Sequence, residues 1–293
     1  MLSEVLVNVA AVTALAPLID GVERKVRARL QCRRGPPVLQ TWYDLAKLFR
    51  RGGVRTGEAS FTYAAAPYVV FANLVLALAL MPTVFNASLS FAGDVVVLLY
   101  LITAASIFLV IGSISSGNPY AVTGSNREVS IAVASKLAVG FAVATFIIDK
   151  GSLTLRKVFP AVLPPTASAF IALASLLVVT YIESSRLPFD IPEAEPEIAG
   201  GVLIEYSGRE LGVVMYSLIL KRVVLTTLFI DLLIPRWAPY APLAYIALVF
   251  AIPLAFTCIE TFCGRFRIDQ ALSLIRGLYV VAGVGVALAL IGF

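Results

Sequence analysis

VVVLLYLITAASIFLVIGSISSGNPYAVTGSN, residues Val95–Asn126, runs for 32 positions without a charged side chain. A helix needs roughly 20 mostly apolar residues to cross a bilayer, so this run holds a complete span with room for its connection. The pattern recurs. Ala59–Gly93, Val158–Ile182, Trp237–Ile259 and Gly277–Phe293 are also free of charge. None alternates with period two, as barrel strands would, and helices are the other structure that satisfies its backbone inside lipid. The fold expected is all-α and polytopic, with eight transmembrane helices. They fall at Val5–Val22, Tyr63–Val84, Val95–Ser115, Val129–Ile148, Thr166–Glu183, Leu211–Ile234, Ala241–Phe262 and Gln270–Gly292.

Composition agrees. The chain is 59% hydrophobic and only 14% charged, against about a quarter charged in ordinary globular domains. It forms one membrane domain over residues 1–293, without a visible internal repeat. The first apolar run lacks a basic flank and a cleavage site, and reads as a retained span. Lys and Arg set the orientation. Fifteen lie in the odd-numbered loops and four in the even-numbered ones. The loops at about 23–62, 116–128, 184–210 and 263–269 are therefore expected in the cytoplasm, with the chain in the cell membrane and both termini outside. Within the first of these loops, Val38–Arg51 reads as a short amphipathic surface helix, with Val38, Trp42, Leu45 and Leu48 on one face.

Redox chemistry finds no ligands here. There is no histidine, and Cys32, Cys258 and Cys263 form no C-x-x-C pair. No nucleotide-binding glycine pattern occurs. The chain is expected to bind no cofactor or metal and to have no catalytic residue of its own.

Its charges are informative instead. ESSRLPFDIPEAEPEIAGGVLIEYSGRE, Glu183–Glu210, has nine ionisable residues in 28, seven of them acidic. Glu128, Glu183, Asp190, Glu193, Glu195, Glu197, Glu205 and Glu260 all fall at the cytoplasmic side of this topology. Partly buried carboxylates that repel one another titrate nearer neutrality and can pass protons. Exposed, the same residues would dock a soluble partner. Cations also lie inside spans, Lys136 in the fourth and Lys221 and Arg222 in the middle of the sixth. An unpaired charge at such depth costs roughly 2.5–3.5 kcal/mol on insertion scales. At least one is expected to meet a carboxylate, either Asp231 or an acid on another chain. The alternative is a pair that merely fixes helix packing.

Five stretches in order resemble subunit 1 of NADH:quinone oxidoreductase (complex I), the membrane subunit that joins the two arms of that complex. They are ERKVRARLQCRRGPP at Glu23–Pro37, LQTWYDLAKLFRR at Leu39–Arg51, TGSNREVSIAVASK at Thr123–Lys136, ESSRLPFDIPEAEPEIAGGVLIEYSG at Glu183–Gly208 and GRFRIDQALSL at Gly264–Leu274. The resemblance implies a tilted bundle whose cytoplasmic loops hold a large-subunit-like protein and an iron–sulfur subunit. Glu128, Glu183, Asp190, Glu193, Glu195, Glu197 and Glu205 would then start a polar path toward antiporter-like membrane subunits, and Lys136, Lys221, Arg222 and Glu260 extend the same charge system. Arg24, Lys25, Arg33, Arg34, Asp44 and Lys47, with Arg265 and Arg267 of the seventh loop, would face the soluble arm. Iron–sulfur clusters, and nickel–iron in one branch, would belong to partners.

The departures point within the family. GPPVLQ is compact where quinone-reducing members carry extra residues, and Ser185, Ala194 and Pro196 replace their usual Glu, Gly and Ser. These features resemble the equivalent subunit of energy-converting nickel–iron hydrogenases and formate hydrogenlyases, which need no quinone. The alternatives are a quinone-site subunit of a respiratory complex, a stand-alone ion transporter and a purely structural anchor.

Overall fold

The computed structural model describes residues 2–54, 60–83, 88–159, 166–234 and 241–292. Every regular element among them is helical: α1 (Leu2–Leu30), α2 (Gln40–Arg50), α3 (Phe61–Leu80), α4 (Asp94–Ile114), α5 (Pro119–Lys150), α6 (Leu155–Val158), α7 (Ala167–Glu183), α8 (Glu195–Ile198), a 3₁₀ turn at Gly201–Leu203, α9 (Gly208–Leu233), α10 (Ala241–Phe262) and α11 (Ile268–Ile291). Seven helices among the described residues are long and apolar enough to cross a membrane. The expected fifth span is the shorter apolar helix α7, and α2 is the surface helix. The chain is a multi-pass membrane protein.

α9 is the centre of the bundle. Of its most apolar stretch 72% is buried, against 28% in α10 and α11. It packs on α1, α2, α3, α7 and α10, while α5 packs on α4, α7 and α11 and α3 on α4. The sequence explains this placement. α10 and α11 need only one protein-facing stripe and can turn the rest to lipid, whereas α9 carries Lys221, Arg222 and Asp231, which lipid would penalise.

Local signals set the ends that matter. α5 opens with Asn118, whose side chain accepts from the Tyr120 amide, followed by Pro119 at the first helical position, and it closes on Gly151 at φ 59°. Thr166 caps α7 by accepting from the Ala169 amide. α7 has 17 residues, about 25 Å at 1.5 Å per residue, less than the roughly 30 Å apolar layer. Its last residue, Glu183, therefore ends inside the bundle and is buried.

Two helices run past the expected spans. α1 continues from Val22 to Leu30, and α5 begins ten residues before Val129. In both, charged residues placed in loops by their polarity are helical because other helices pair with them. α2 lies against α9 at Gly212, where a Cβ would stand 3.1 Å from Leu48 Cβ. Its Leu45 is buried as the amphipathic pattern predicts, with Thr41 beside it.

Candidate functional site

The end of α7 is electrically demanding. A helix C-terminus carries partial negative charge, and the Glu183 carboxylate adds to it. Cations answer from two neighbours. Lys136 Nζ of α5 donates to Glu183 Oε2 at 2.7 Å. Lys221 Nζ of α9 lies 3.0 Å from the same oxygen and 3.6 Å from Glu128 Oε1 of α5. The Ser135 hydroxyl donates to Glu183 Oε1, and Arg222 Nε donates to the Ser184 carbonyl at 3.0 Å. Glu128, Lys221 and Glu183 are all buried. Four ionisable groups from three helices thus form one chain, Glu128–Lys221–Glu183–Lys136. Charges drawn from water this far are stable only when paired and hydrogen-bonded.

A second network lies beside it. Arg186, buried in the segment after α7, donates through Nη2 to Glu23 Oε2 at 2.6 Å and through Nη1 to Thr257 Oγ1 at 3.0 Å. Its Nη1 is 3.7 Å from Glu260 Oε2, which accepts from Arg27 Nη2 at 2.7 Å. Arg222 Nη1 stands 3.5 Å from Asp20 Oδ1, and Asp20 Oδ2 accepts from the Thr41 hydroxyl at 2.9 Å. α1, α2, α9, α10 and the Glu183–Glu210 segment therefore share one set of charges.

This second network walls a cavity of about 510 Å³ between α1, α2 and α9. Nine of its eighteen lining residues are ionisable, Asp20, Arg24, Arg222 and Glu193 among them. Two spaces of about 10 Å³ continue inward, each near the size of one water. The first is lined by Glu193, Ser185 and Glu128, the second by Glu128, Ser185, Glu183 and Lys221. Ser185 borders the cavity and both spaces. It adopts φ 49°, the left-handed region that few non-glycine residues enter. The two spaces thus lie between residues that line the open cavity and residues of the buried ion chain, with apolar side chains making up the rest of their walls.

The model of the NADH dehydrogenase family matches residues 3–291. The chain belongs to this family. The resemblance to subunit 1 of complex I holds, and the protein is a membrane subunit of the complex-I-like type. Formate hydrogenlyase subunit 4 of Escherichia coli strain K12 is 33% identical over 281 residues, covering 90% of this chain and 91% of that protein. Hydrogenase-4 component C of the same organism is 31% identical over 225 residues, covering 75% and 71%. A chain in the structure of the membrane-bound sulfane sulfur reductase, an archaeal respiratory membrane complex, superposes with a TM-score of 0.88 over 97% of this chain and 98% of its own, at 22% identity. That likeness shows the fold.

The NADH dehydrogenase fold places the sequence-predicted residues unevenly. Glu128, Lys136, Glu183 and Lys221 come together as one chain, and Arg222 and Glu260 join the second network. Glu193 lines the cavity. Asp190 also lines it and is bound by Arg265 Nη2 at 2.7 Å. Glu197 lies at the surface, 2.7 Å from Arg127, and that hydrogen bond, with the arginine's charge, holds its carboxyl below the ordinary range. The Glu205 side chain accepts from Asn118 Nδ2, and its carbonyl from the Tyr63 hydroxyl at 2.6 Å. Tyr63 stacks on Tyr206 with centroids 4.6 Å apart, and burial pushes the Tyr206 phenol up. The Glu195 side chain lies outside the described residues.

On the first loop, Arg24 Nη1 donates to Asp44 Oδ2 at 3.0 Å on the cavity wall. Arg33, Arg34, Lys47 and Arg267 are exposed and Lys25 is half-buried. Lys221 meets acids of this same chain. Asp231, the partner anticipated, sits ten residues further along α9, about 15 Å away by helical rise, and the acids at hand come from α5 and α7 instead.

Sequence reasoning missed Asp20, Glu23, Arg27, Arg186 and Ser185 as site residues. By sequence Arg186 is one more loop charge. Asp20, Glu23 and Arg27 stand three and four apart, which on a helix is a single face. That spacing is a usable signal. Among the described residues, no group of three or more His, Cys, Asp or Glu side chains is placed to hold a metal ion.

Proposed function

We propose that this chain is the membrane-anchor and proton-coupling subunit of a complex-I-like oxidoreductase of the energy-converting hydrogenase or formate hydrogenlyase type. Its charged loops face the cytoplasm in the cell membrane. They hold a large-subunit-like protein and an iron–sulfur subunit, and the bundle abuts antiporter-like membrane subunits. Redox groups, iron–sulfur clusters and nickel–iron, stay in those partners. One observation carries this reading: the buried chain Glu128–Lys221–Glu183–Lys136, with two water-sized spaces lying between it and an open, charged cavity. Charge change at the cavity mouth alters the field at Glu193, Asp20 and Glu260, and the shared networks pass that change to the buried ion chain.

Glu183→Gln keeps the volume and removes the charge, and it tests the reading in the assembled complex. Electron transfer by the soluble arm is expected to continue while proton translocation in vesicles falls sharply. Normal translocation by a normally assembled variant would leave only the structural anchor.

The cavity itself favours a second reading, a quinone site, because its size suits a small ligand. Its lining argues the other way, since ligand pockets are predominantly apolar and half of these residues ionise. Leu45→Trp narrows the cavity. Saturable reduction of a short-tail quinone, abolished by that substitution, would establish the second reading.

A further inference from the structure

α1 has a gap in its backbone ladder. Pro17 lies inside this helix. A proline has no N–H, so it cannot bond the carbonyl four residues before it, and its ring pushes that carbonyl aside. The carbonyl is that of Thr13. A backbone group left bare in hydrocarbon is heavily penalised. The structure fills the gap from another helix: Tyr216 of α9 donates its hydroxyl to the Thr13 carbonyl at 2.8 Å. Two rings hold the phenol in place, Trp42 of α2 edge-on at 6.3 Å and Phe71 of α3 tilted at 5.3 Å between centroids.

α9 also holds α1 on the other side of the proline. Arg222 Nη1 lies 3.5 Å from Asp20 Oδ1. Thr13 is four residues before Pro17 and Asp20 three after it, so the two contacts straddle the gap. They are about 10 Å apart along α1 and about 9 Å apart along α9. The part of α1 beyond Pro17 carries Asp20, Glu23, Arg24 and Arg27. Their pairing with Arg222, Arg186, Asp44 and Glu260 depends on the direction that α1 takes after the proline. A helix with an internal proline bends there, and two fixed points set the bend.

We infer that Tyr216 is a positioning residue: its hydroxyl replaces the amide that Pro17 lacks and, with Arg222, fixes the course of α1 so that four charged side chains meet their partners. It acts through the backbone of α1. Its effect on proton transfer rests on the proton-coupling reading; its bracing of α1 rests on the geometry alone.

The test uses the intact complex. Tyr216→Phe removes the hydroxyl and keeps the ring. Pro17→Ala supplies an amide to Thr13 from within α1, so the hydroxyl is no longer needed. Hydrogen exchange of the α1 segment Leu18–Leu30 is followed by mass spectrometry in the native chain, in each variant and in the double variant. Tyr216→Phe should speed exchange there severalfold in the native background and leave it unchanged in the Pro17→Ala background. Tyr68→Phe, at a tyrosine of α3 that is 52% exposed, is the control and should match the native chain. Protons moved per electron in vesicles should fall with Tyr216→Phe and recover in the double variant. Equal exchange effects in the two backgrounds, or none in the native one, overturn the inference. Pumping that Tyr216→Phe leaves unchanged while Glu183→Gln abolishes it overturns the positioning role as well. Exchange requires no turnover, so it is separable from pumping. The expected exchange pattern together with unimpaired pumping in Glu183→Gln would keep the brace and discard the coupling role.

Discussion

Lys221 and Arg222 are consecutive on α9 and serve different networks. Lys221 Nζ lies 3.0 Å from Glu183 Oε2, whereas Arg222 Nη1 lies 3.5 Å from Asp20 Oδ1. Successive helical side chains diverge by about 100°, so one turn of α9 points a cation at α7 and another at α1. Arg222 also donates to the Ser184 carbonyl, beside Glu183. A change at the cavity and a change at the ion chain therefore meet on adjacent residues of the central helix.

Removing Lys221 should be costly in both stability and function. Lys221→Leu leaves Glu183 with one cation and takes from Glu128 its charged partner. Breaking a buried pair from one side costs about 3–5 kcal/mol. Lys157, exposed on α6, is the comparison, and Lys157→Leu should stay within about 0.5 kcal/mol. Thermal unfolding of the purified complex and protons moved per electron measure the contrast. Equal, small effects from the two substitutions would remove the case for the sixth-span cation.

Arg186 and Glu23 offer a cleaner measurement of coupling. Their 2.6 Å contact is buried on both sides, and Arg186 also holds Thr257. Glu23→Gln and Arg186→Gln should each destabilise by about 3–5 kcal/mol. The double variant should cost clearly less than their sum, because the second substitution no longer strands a charge. Additive losses in the melting of the complex would show that the contact contributes little.

How far such features could be read beforehand follows from their range in sequence. The spans are visible because lipid demands long uncharged runs, and the amphipathic helix because Leu45 and Leu48 repeat at helical spacing. The end of α1 is not, since Glu23 and Arg27 look like loop residues until their partners are known. Those partners are Arg186 and Glu260, 163 and 233 positions away, and no local period encodes such a pairing. Convergence of acids on one side was legible. That Glu183 would be enclosed by two lysines while Glu197 would sit in solvent depends on the short α7, and thus on three-dimensional packing.

The exposed pair Arg127–Glu197 predicts a local response to acid. The hydrogen bond from Arg127, then its charge, lowers the Glu197 pKa below its usual 4.5. A depressed carboxylate contributes above the unfolded value and loses that contribution as pH falls through the folded one. The segment around α8 should thus open more readily below about pH 4.5. The effect should be small and weaken with salt, as for other solvent-facing pairs. Hydrogen exchange of Glu197–Gly200 against pH reads it, and Glu197→Gln should flatten the acid limb. An unchanged limb in that variant assigns the response to another group.

Ser185 predicts the rate of proton entry. Ser185 borders the cavity and both water-sized spaces, so under the proton-coupling proposal a proton moving from Glu193 toward Glu183 would pass beside it. Its hydroxyl can accept from one water and donate to the next. Ser185→Ala keeps the space but removes that link, and should slow proton uptake severalfold while leaving assembly and electron input unchanged. Ser130, whose hydroxyl donates to the Asn126 carbonyl of its own helix at 2.9 Å, is the control, and Ser130→Ala should behave as the unaltered protein. The two variants are compared by pH-indicator kinetics after a single reductive turnover, in ordinary and heavy water. A larger solvent isotope effect in Ser185→Ala marks proton transfer as the slowed step. If uptake is equally fast in both, protons reach Glu128 by another route and the two small spaces are packing defects.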